Sequence, residues 1–273
     1  MTKGDDFIFL YIPKTGSSFT LSAFSQINKS LKNYRYILKR KRLSVKNINS
    51  ANIRDRFFNK NKNQHTTVSQ VHKNDLSRSK LYSIIRNPFY AYISRYEYKH
   101  FANPNWKSDS RFKNLVSSNF PDFPNISFKD YIQLSKILAK DKLDNHIQVK
   151  PKIEIGPLSL QFIQMFAYEP KEVLSVIDSN FFNNNKIDEY FPEVSFLNNE
   201  NLSQELHSTL IKLGYPKKLI NFILNSKKKN VSVKKPYNTY LSKEIVNDIQ
   251  KTEWFLFDFF SDRSDAWFKA INS

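Results

Sequence analysis

Cysteine is absent from this sequence of 273 residues. That absence excludes disulfide bonds, thiolate catalysis and zinc sites built on cysteine. Long apolar runs are also missing, because no stretch approaches the ~20 residues that a membrane-spanning helix needs. The first six residues are polar and acidic, and the apolar run after them is short. The sequence therefore predicts no signal peptide, no membrane span and a cytoplasmic location.

Acidic residues are scarce relative to basic ones: 25 Asp and Glu stand against 43 Lys and Arg, giving a net charge of +18. Such a field attracts anionic partners, among them a nucleotide cofactor, an acidic polysaccharide or nucleic acid. The basic runs Lys39–Arg42 and Lys227–Lys229 indicate either an anionic acceptor or a composition rich in lysine. We favour composition, because asparagine tracts such as Asn183–Asn185 accompany the lysines. No nucleic-acid-binding module is recognisable, so no nucleic-acid partner is expected.

Glycine is rare, and one of the four glycines lies in the most informative segment of the chain. Six apolar residues, Phe7–Ile12, predict a buried parallel strand, and the hydroxyl-rich Pro13–Ser18 predicts a tight turn into a helix. Backbone N–H groups at a helix start, together with Lys14 and three hydroxyls, favour a phosphate or sulfate site. Lys14 precedes Gly16, so the loop is not a Walker A motif. An ordinary serine-capped helix is the alternative.

A second strand and turn follow at residues 81–96. Leu81–Ile85 predicts another buried strand, which ends at Arg86, and Asn87-Pro88 predicts a turn into a helix that carries Ser94. An arginine at a strand's carboxyl end faces the crevice where α/β sheets bind ligands, and its guanidinium matches a phosphate. In the alternative, Arg86 pairs with a carboxylate and Ser94 faces solvent.

These two segments together resemble the sulfotransferases that use 3′-phosphoadenosine 5′-phosphosulfate (PAPS), in particular the carbohydrate, heparan sulfate 2-O-sulfotransferase-like branch. The order Pro-Lys-Thr-Gly-Ser-Ser resembles their 5′-phosphosulfate loop, which implies cofactor binding by the residues Lys14, Thr15, Gly16, Ser17 and Ser18. Arg86 and Ser94 reproduce the eight-residue spacing of the pair that holds the 3′-phosphate, although Asn87 replaces the commoner Asp. Lys234 and Lys235 lie where the family places basic residues over the nucleotide, but they suit solvated lysines equally well.

At the position of the general base this sequence departs from the family. Matching His72 and Asp75 to the family's motif places Gln70 at the base position, and glutamine cannot accept the proton. His72 is the substitute, because a histidine near neutral pKa suits this role; a purely structural hydrogen bond is the alternative. His146 resembles a histidine that follows the 3′-phosphate motif, which implies a place in the acceptor site. His65 lies in a polar loop and is not a candidate.

The pattern of elements predicts an α/β fold with a three-layer parallel sheet flanked by helices, and the resemblance implies the P-loop-like sulfotransferase fold. We expect a single domain over 1–273, with a basic insertion or mobile loop at 35–64. A further strand is predicted at Thr66–Val71 and an irregular stretch at 101–126. Helices are predicted at 17–31, 127–140, 157–168, 202–212, 216–226 and 241–260.

The sequence therefore predicts a PAPS-dependent sulfotransferase that leaves adenosine 3′,5′-bisphosphate as product and uses no metal. The acceptor is a carbohydrate or glycan hydroxyl, with anionic glycans among the candidates, and Lys14 stabilises the leaving phosphate. Three alternatives stay open: a P-loop-type kinase, a catalytically degenerate nucleotide-binding homologue, and a basic nucleic-acid-binding protein.

Overall fold

A computed structural model describes residues 1–34, 46–47, 65–102, 110–184, 187–226 and 236–272. The strands are β1 Thr2–Lys3, β2 Phe7–Phe9, β3 Lys46–Asn47, β4 Lys80–Ile85 and β5 Val194–Asn198. The helices are α1 Ser17–Tyr34, α2 Lys73–Arg78, α3 Pro88–Glu97, α4 Ser110–Asn119, α5 Phe128–Lys142, α6 Pro157–Phe166, α7 Pro170–Val176, α8 Phe181–Asn184, α9 Ile187–Tyr190, α10 Leu202–Lys212, α11 Lys217–Ile220, α12 Phe222–Asn225, α13 Lys243–Thr252, α14 Trp254–Phe259 and α15 Ser261–Asn272.

The described residues divide into two compact units. The first comprises those within Met1–Arg86, Gln164–Glu169 and Ile187–Val231, and the second comprises the remainder. The predicted single domain stays a prediction, and most of the 35–64 segment lies outside the described residues.

The first unit contains the sheet, whose strand order is β3-β1-β2-β4-β5. β2, β4 and β5 are parallel neighbours, while the short β1 and β3 run antiparallel at one edge. The predicted α/β class, with parallel strands flanked by helices, is confirmed; the two antiparallel edge strands are an addition to it. Because β2, β4 and β5 are parallel, their carboxyl ends share one edge of the sheet, where α/β folds bind ligands.

One face of the sheet packs on α1. Phe19, Ala23 and Ile27 follow one another at intervals of four residues in α1 and are buried, so a single apolar stripe of the helix covers the sheet. The side chains that share this core are Phe7, Phe9, Tyr11, Phe19, Ala23, Phe24, Ile27, Leu31, Ile84, Leu197, Leu202, Leu206, Leu210, Tyr215, Leu219, Ile220 and Ile223. On β5, alternate residues face opposite ways, and Phe196 packs edge-on against Phe166 at 5.1 Å between ring centroids.

Several predicted elements match the structure and one is wrong. The helices at 17–31, 127–140, 157–168 and 202–212 are present with small shifts at their ends, and the 216–226 and 241–260 helices are each broken into two. The strand predicted at Thr66–Val71 is instead a 3₁₀ helix over Val68–Gln70. The 3₁₀ helix has a local cause. The Gln70 side chain accepts a hydrogen bond from the Thr67 N–H at 3.0 Å, which closes a capping box. The irregular stretch at 101–126 contains α4.

The second unit is helical and contains a buried carboxylate that links two of its helices. Glu253, fully buried after α13, accepts hydrogen bonds from the Leu158 N–H at 3.0 Å, the Ser159 N–H at 2.7 Å and the Ser159 hydroxyl at 2.6 Å. The Tyr92 hydroxyl also donates to it, at 2.6 Å. Glu253 thus accepts hydrogen bonds from N–H groups at the start of α6, and through Tyr92 it links α3 to α6. A side chain at Gly156 would lie 2.5 Å from this carboxyl group, so only glycine fits there.

Candidate functional site

The loop between β2 and α1 is folded around one carbonyl group. The Thr15 hydroxyl donates to the Ile12 carbonyl oxygen at 2.9 Å, and the Ser17 hydroxyl donates to the same oxygen at 2.7 Å. Both side chains are buried, whereas Ser18 is exposed. Two of the three predicted ligand hydroxyls therefore hold the loop in shape. An α-helix leaves its first N–H groups without intrahelical acceptors, and at the start of α1 such groups are suited to an anion.

The backbone of this loop passes twice through the left-handed region. Lys14 has φ of 66° and Gly16 has φ of 101°. For Lys14 this conformation costs about 1–2 kcal/mol, and strain of this kind collects at binding and catalytic sites. At Gly16 a Cβ atom would lie 2.6 Å from Leu202 Cδ2 and 2.9 Å from Asn199 Nδ2, so the loop depends on glycine there.

Arg86 meets this loop directly. It follows β4, the parallel neighbour of β2, and its Nη1 donates a hydrogen bond to the Lys14 carbonyl oxygen at 3.2 Å. The register that pairs Phe9 with Tyr82 brings the two chain segments out of the sheet side by side. Lys14 and Arg86, 72 positions apart in sequence, are therefore brought together at the carboxyl edge of the sheet.

Asn199 is a third residue at this edge, and the sequence reasoning missed it. Its side-chain Nδ2 donates to the Thr15 carbonyl oxygen at 2.8 Å, and its backbone N–H donates to the Ile85 carbonyl oxygen at 2.9 Å. Asn199 therefore ties the loop to the end of β4 from its place after β5. The available signal was weak: three apolar residues, Val194, Phe196 and Leu197, precede a polar stretch that suits a turn.

The two residues weighed as general base have other contacts. The Gln70 amide oxygen accepts the Thr67 N–H in the capping box. His72 is exposed and begins α2, where its Nδ1 accepts a hydrogen bond from the Asn74 N–H at 3.3 Å. The catalytic assignment of His72 stays a prediction that its N-cap position does not support.

The other predicted site residues lie elsewhere. Ser94 is on α3 and His146 lies in a π-helical turn over Leu143–Ile147; both belong to the second unit. His146 is exposed, and its Nε2 lies 4.0 Å from Asp141 Oδ2. Lys234 and Lys235 fall outside the described residues, as do Lys39–Arg42 and Lys227–Lys229. The roles assigned to these residues stay predictions.

Two features are absent from the described ranges. Among those residues, no group of three or more His, Asp or Glu side chains is placed to hold a metal ion. Within the same ranges, no helix is both long enough and apolar enough to cross a membrane.

Comparison with known families decides the class of protein. A family model described as "Sulfotransferase family" matches residues 1–152, more than half of the 273. The chain belongs to the sulfotransferase family. The matched region contains the loop at 13–18, Arg86, Ser94 and His146, whereas Asn199 lies beyond it. A comparison with curated proteins and a comparison with solved structures each found no match.

Proposed function

We propose that this sulfotransferase moves the sulfuryl group of PAPS to a hydroxyl group of a carbohydrate or glycan. The observation that carries the proposal is the 3.2 Å hydrogen bond between Arg86 and the Lys14 carbonyl, which joins the two predicted phosphate motifs at the carboxyl edge of the parallel strands. Family membership supports sulfuryl transfer, and the order of residues in the loop supports the carbohydrate branch.

The residues at this edge fit a nucleotide that carries two anionic groups. The N–H groups at the start of α1 and the Lys14 ammonium suit a 5′-phosphosulfate, because both are donors concentrated on one turn. The Arg86 guanidinium offers a planar fork of donors to a 3′-phosphate. Ser94 stays a proposal from the sequence for a second donor. PAPS supplies an activated sulfuryl group whose leaving group is a phosphate. The task of Lys14 is to stabilise the charge that develops on that phosphate.

The proposed acceptor is a hydroxyl group of a carbohydrate or glycan. The net charge of +18 would attract an anionic glycan by electrostatic steering. His146 is the proposed contact with the acceptor. The proposed transfer needs no metal in principle, because positioning and charge stabilisation do most of the work in the related phosphoryl transfer.

Calorimetric titration with adenosine 3′,5′-bisphosphate tests the proposal, with 5′-AMP and magnesium-ATP run beside it. We expect binding that depends on the 3′-phosphate. Arg86→Ala should weaken that binding by about 10- to 100-fold, the equivalent of a lost charge-assisted hydrogen bond. Lys14→Ala should reduce the release of bisphosphate from PAPS more than it reduces bisphosphate affinity.

The matched control is Arg78→Ala, because Arg78 is an exposed arginine of the same unit at the end of α2. It should leave bisphosphate affinity unchanged. Absence of bisphosphate binding, or a preference for magnesium-ATP, would overturn the sulfotransferase cofactor site and favour a kinase.

A further inference from the structure

Transfer to a hydroxyl group requires a proton acceptor, and His72 is poorly placed to be one. A neutral imidazole has one nitrogen that donates and one that accepts. At His72 the Nδ1 lone pair already accepts the Asn74 N–H, so Nε2 carries the hydrogen and has no lone pair to offer. The side chain is also exposed at the start of α2.

His65 shows the opposite arrangement. Its Nδ1 lies 2.7 Å from the Tyr11 carbonyl oxygen. A carbonyl oxygen only accepts, so Nδ1 carries the hydrogen and Nε2 keeps a free lone pair. The hydrogen bond also fixes the orientation of the ring, as a partner on the second nitrogen does for catalytic and metal-binding histidines.

The position of His65 places this ring at the loop. Its partner, Tyr11, immediately precedes Ile12, whose carbonyl oxygen accepts the Thr15 and Ser17 hydroxyls. The ring is therefore bonded to the chain three residues before Lys14, on the strand that leads into the proposed phosphosulfate loop.

The residues that follow His65 are buried and hydrogen-bonded. Thr66 and Val68 are fully buried and Thr67 is 3% exposed, and the capping box between Thr67 and Gln70 closes the turn that follows. His65 therefore stands at the start of a packed segment.

The electrostatic surroundings favour the neutral ring. Burial lowers the pKa of His65 from its ordinary value of 6.5. The hydrogen bond to Tyr11 raises the pKa but does not cancel the effect of burial. At neutral pH the ring is uncharged and able to accept a proton.

We infer that His65 is the general base of the reaction, with Nε2 receiving the proton of the acceptor hydroxyl. This inference rests on the proposed sulfuryl transfer. The acceptor oxygen forms a bond to sulfur while the bond between sulfur and the phosphate oxygen of PAPS breaks. The acceptor's proton passes to His65, the bonding electrons stay with the bisphosphate, and the imidazolium then releases its proton to water.

The decisive variant is His65→Asn, because the asparagine amide can still donate to the Tyr11 carbonyl but has no basic nitrogen. Bisphosphate release from PAPS, with water or a panel of monosaccharides as acceptor, should fall by about 10²- to 10⁴-fold. Bisphosphate affinity should stay within about twofold, which is less than the loss of one hydrogen bond would cause. The wild-type rate should fall on acidification below pH 6.5, and this limb should vanish in the variant.

His207→Asn is the matched control, because His207 lies on α10 and contacts Asn221. The assignment would be overturned if His65→Asn kept the wild-type turnover. It would also be overturned if turnover fell in His72→Asn but not in His65→Asn. The third contrary result is a wild-type protein that binds the bisphosphate but releases none from PAPS. Nitrogen-15 spectra of the histidine rings give a second readout, in which a hydrogen on Nε2 of His65 would also overturn it. Failure of the wild-type protein to bind bisphosphate refutes the proposed function itself, and the two failures are thereby distinguished.

Discussion

Gly16→Ala is the sharpest test of the loop, because the structure shows two separate reasons why only glycine fits. An alanine at φ of 101° is strained by about 1–2 kcal/mol. Its Cβ would also press on Leu202 Cδ2 at 2.6 Å and Asn199 Nδ2 at 2.9 Å, and overpacking of this kind costs about 1–3 kcal/mol. Leu202 belongs to the main apolar core, so the contact is relieved most easily by moving the loop. We expect the free energy of unfolding to fall by about 2–5 kcal/mol.

Urea denaturation measures that loss, and calorimetry with adenosine 3′,5′-bisphosphate measures the effect on the site. Gly214→Ala is the control, because Gly214 also has a positive φ, 84°, but follows the far end of α10 from Leu202. It should lower stability through backbone strain while keeping bisphosphate affinity. If Gly16→Ala unfolds at the wild-type urea concentration and binds bisphosphate normally, the loop does not have the conformation described above.

Two further changes test the contacts around the site and in the helical unit. Asn199→Ala removes the donor to the Thr15 carbonyl and should weaken bisphosphate binding by about 3- to 10-fold in calorimetry, whereas Asn198→Ala, which removes a donor to Glu205, should not. Glu253→Ala leaves the buried donors of Leu158, Ser159 and Tyr92 without their acceptor and should lower the free energy of unfolding by about 3–5 kcal/mol. Glu244→Ala breaks only an exposed ion pair with Lys129 and should leave the thermal midpoint almost unchanged; equal losses in the two glutamate variants would contradict the central role of Glu253.

The loop at 13–18 and the end of β4 were predictable because their signals are local. Each consists of an apolar run that ends abruptly in turn-forming residues, and the contacts that shape it, such as Thr15 and Ser17 on Ile12, lie within five residues in sequence. The strand predicted at Thr66–Val71 failed for a local reason as well. Its valines are buried on one turn, and the capping box between Thr67 and Gln70 competes successfully with an extended chain.

Asn199 and His65 were beyond the reach of the sequence because their roles depend on distant pairing. Asn199 contacts Thr15 across 184 positions, and His65 contacts Tyr11 across 54. β5 itself is a short edge strand of five residues with one buried side chain, Leu197, and that pattern gives little periodicity to detect. Once β5 pairs with β4, however, the position of Asn199 beside the loop follows from the register.

Arg86 couples the two halves of the proposed cofactor site. The hydrogen bond from its guanidinium ends on the carbonyl of Lys14, a residue whose left-handed backbone is strained and needs support from its surroundings. Removing the Arg86 side chain therefore changes the proposed 3′-phosphate contact and also loosens the backbone that presents the Lys14 ammonium. Effects of the Arg86 and Lys14 substitutions should consequently not add, because the two residues share a contact. Non-additivity in turnover, with additive effects on bisphosphate affinity, would indicate that the shared contact matters mainly for placing the Lys14 ammonium at the leaving phosphate.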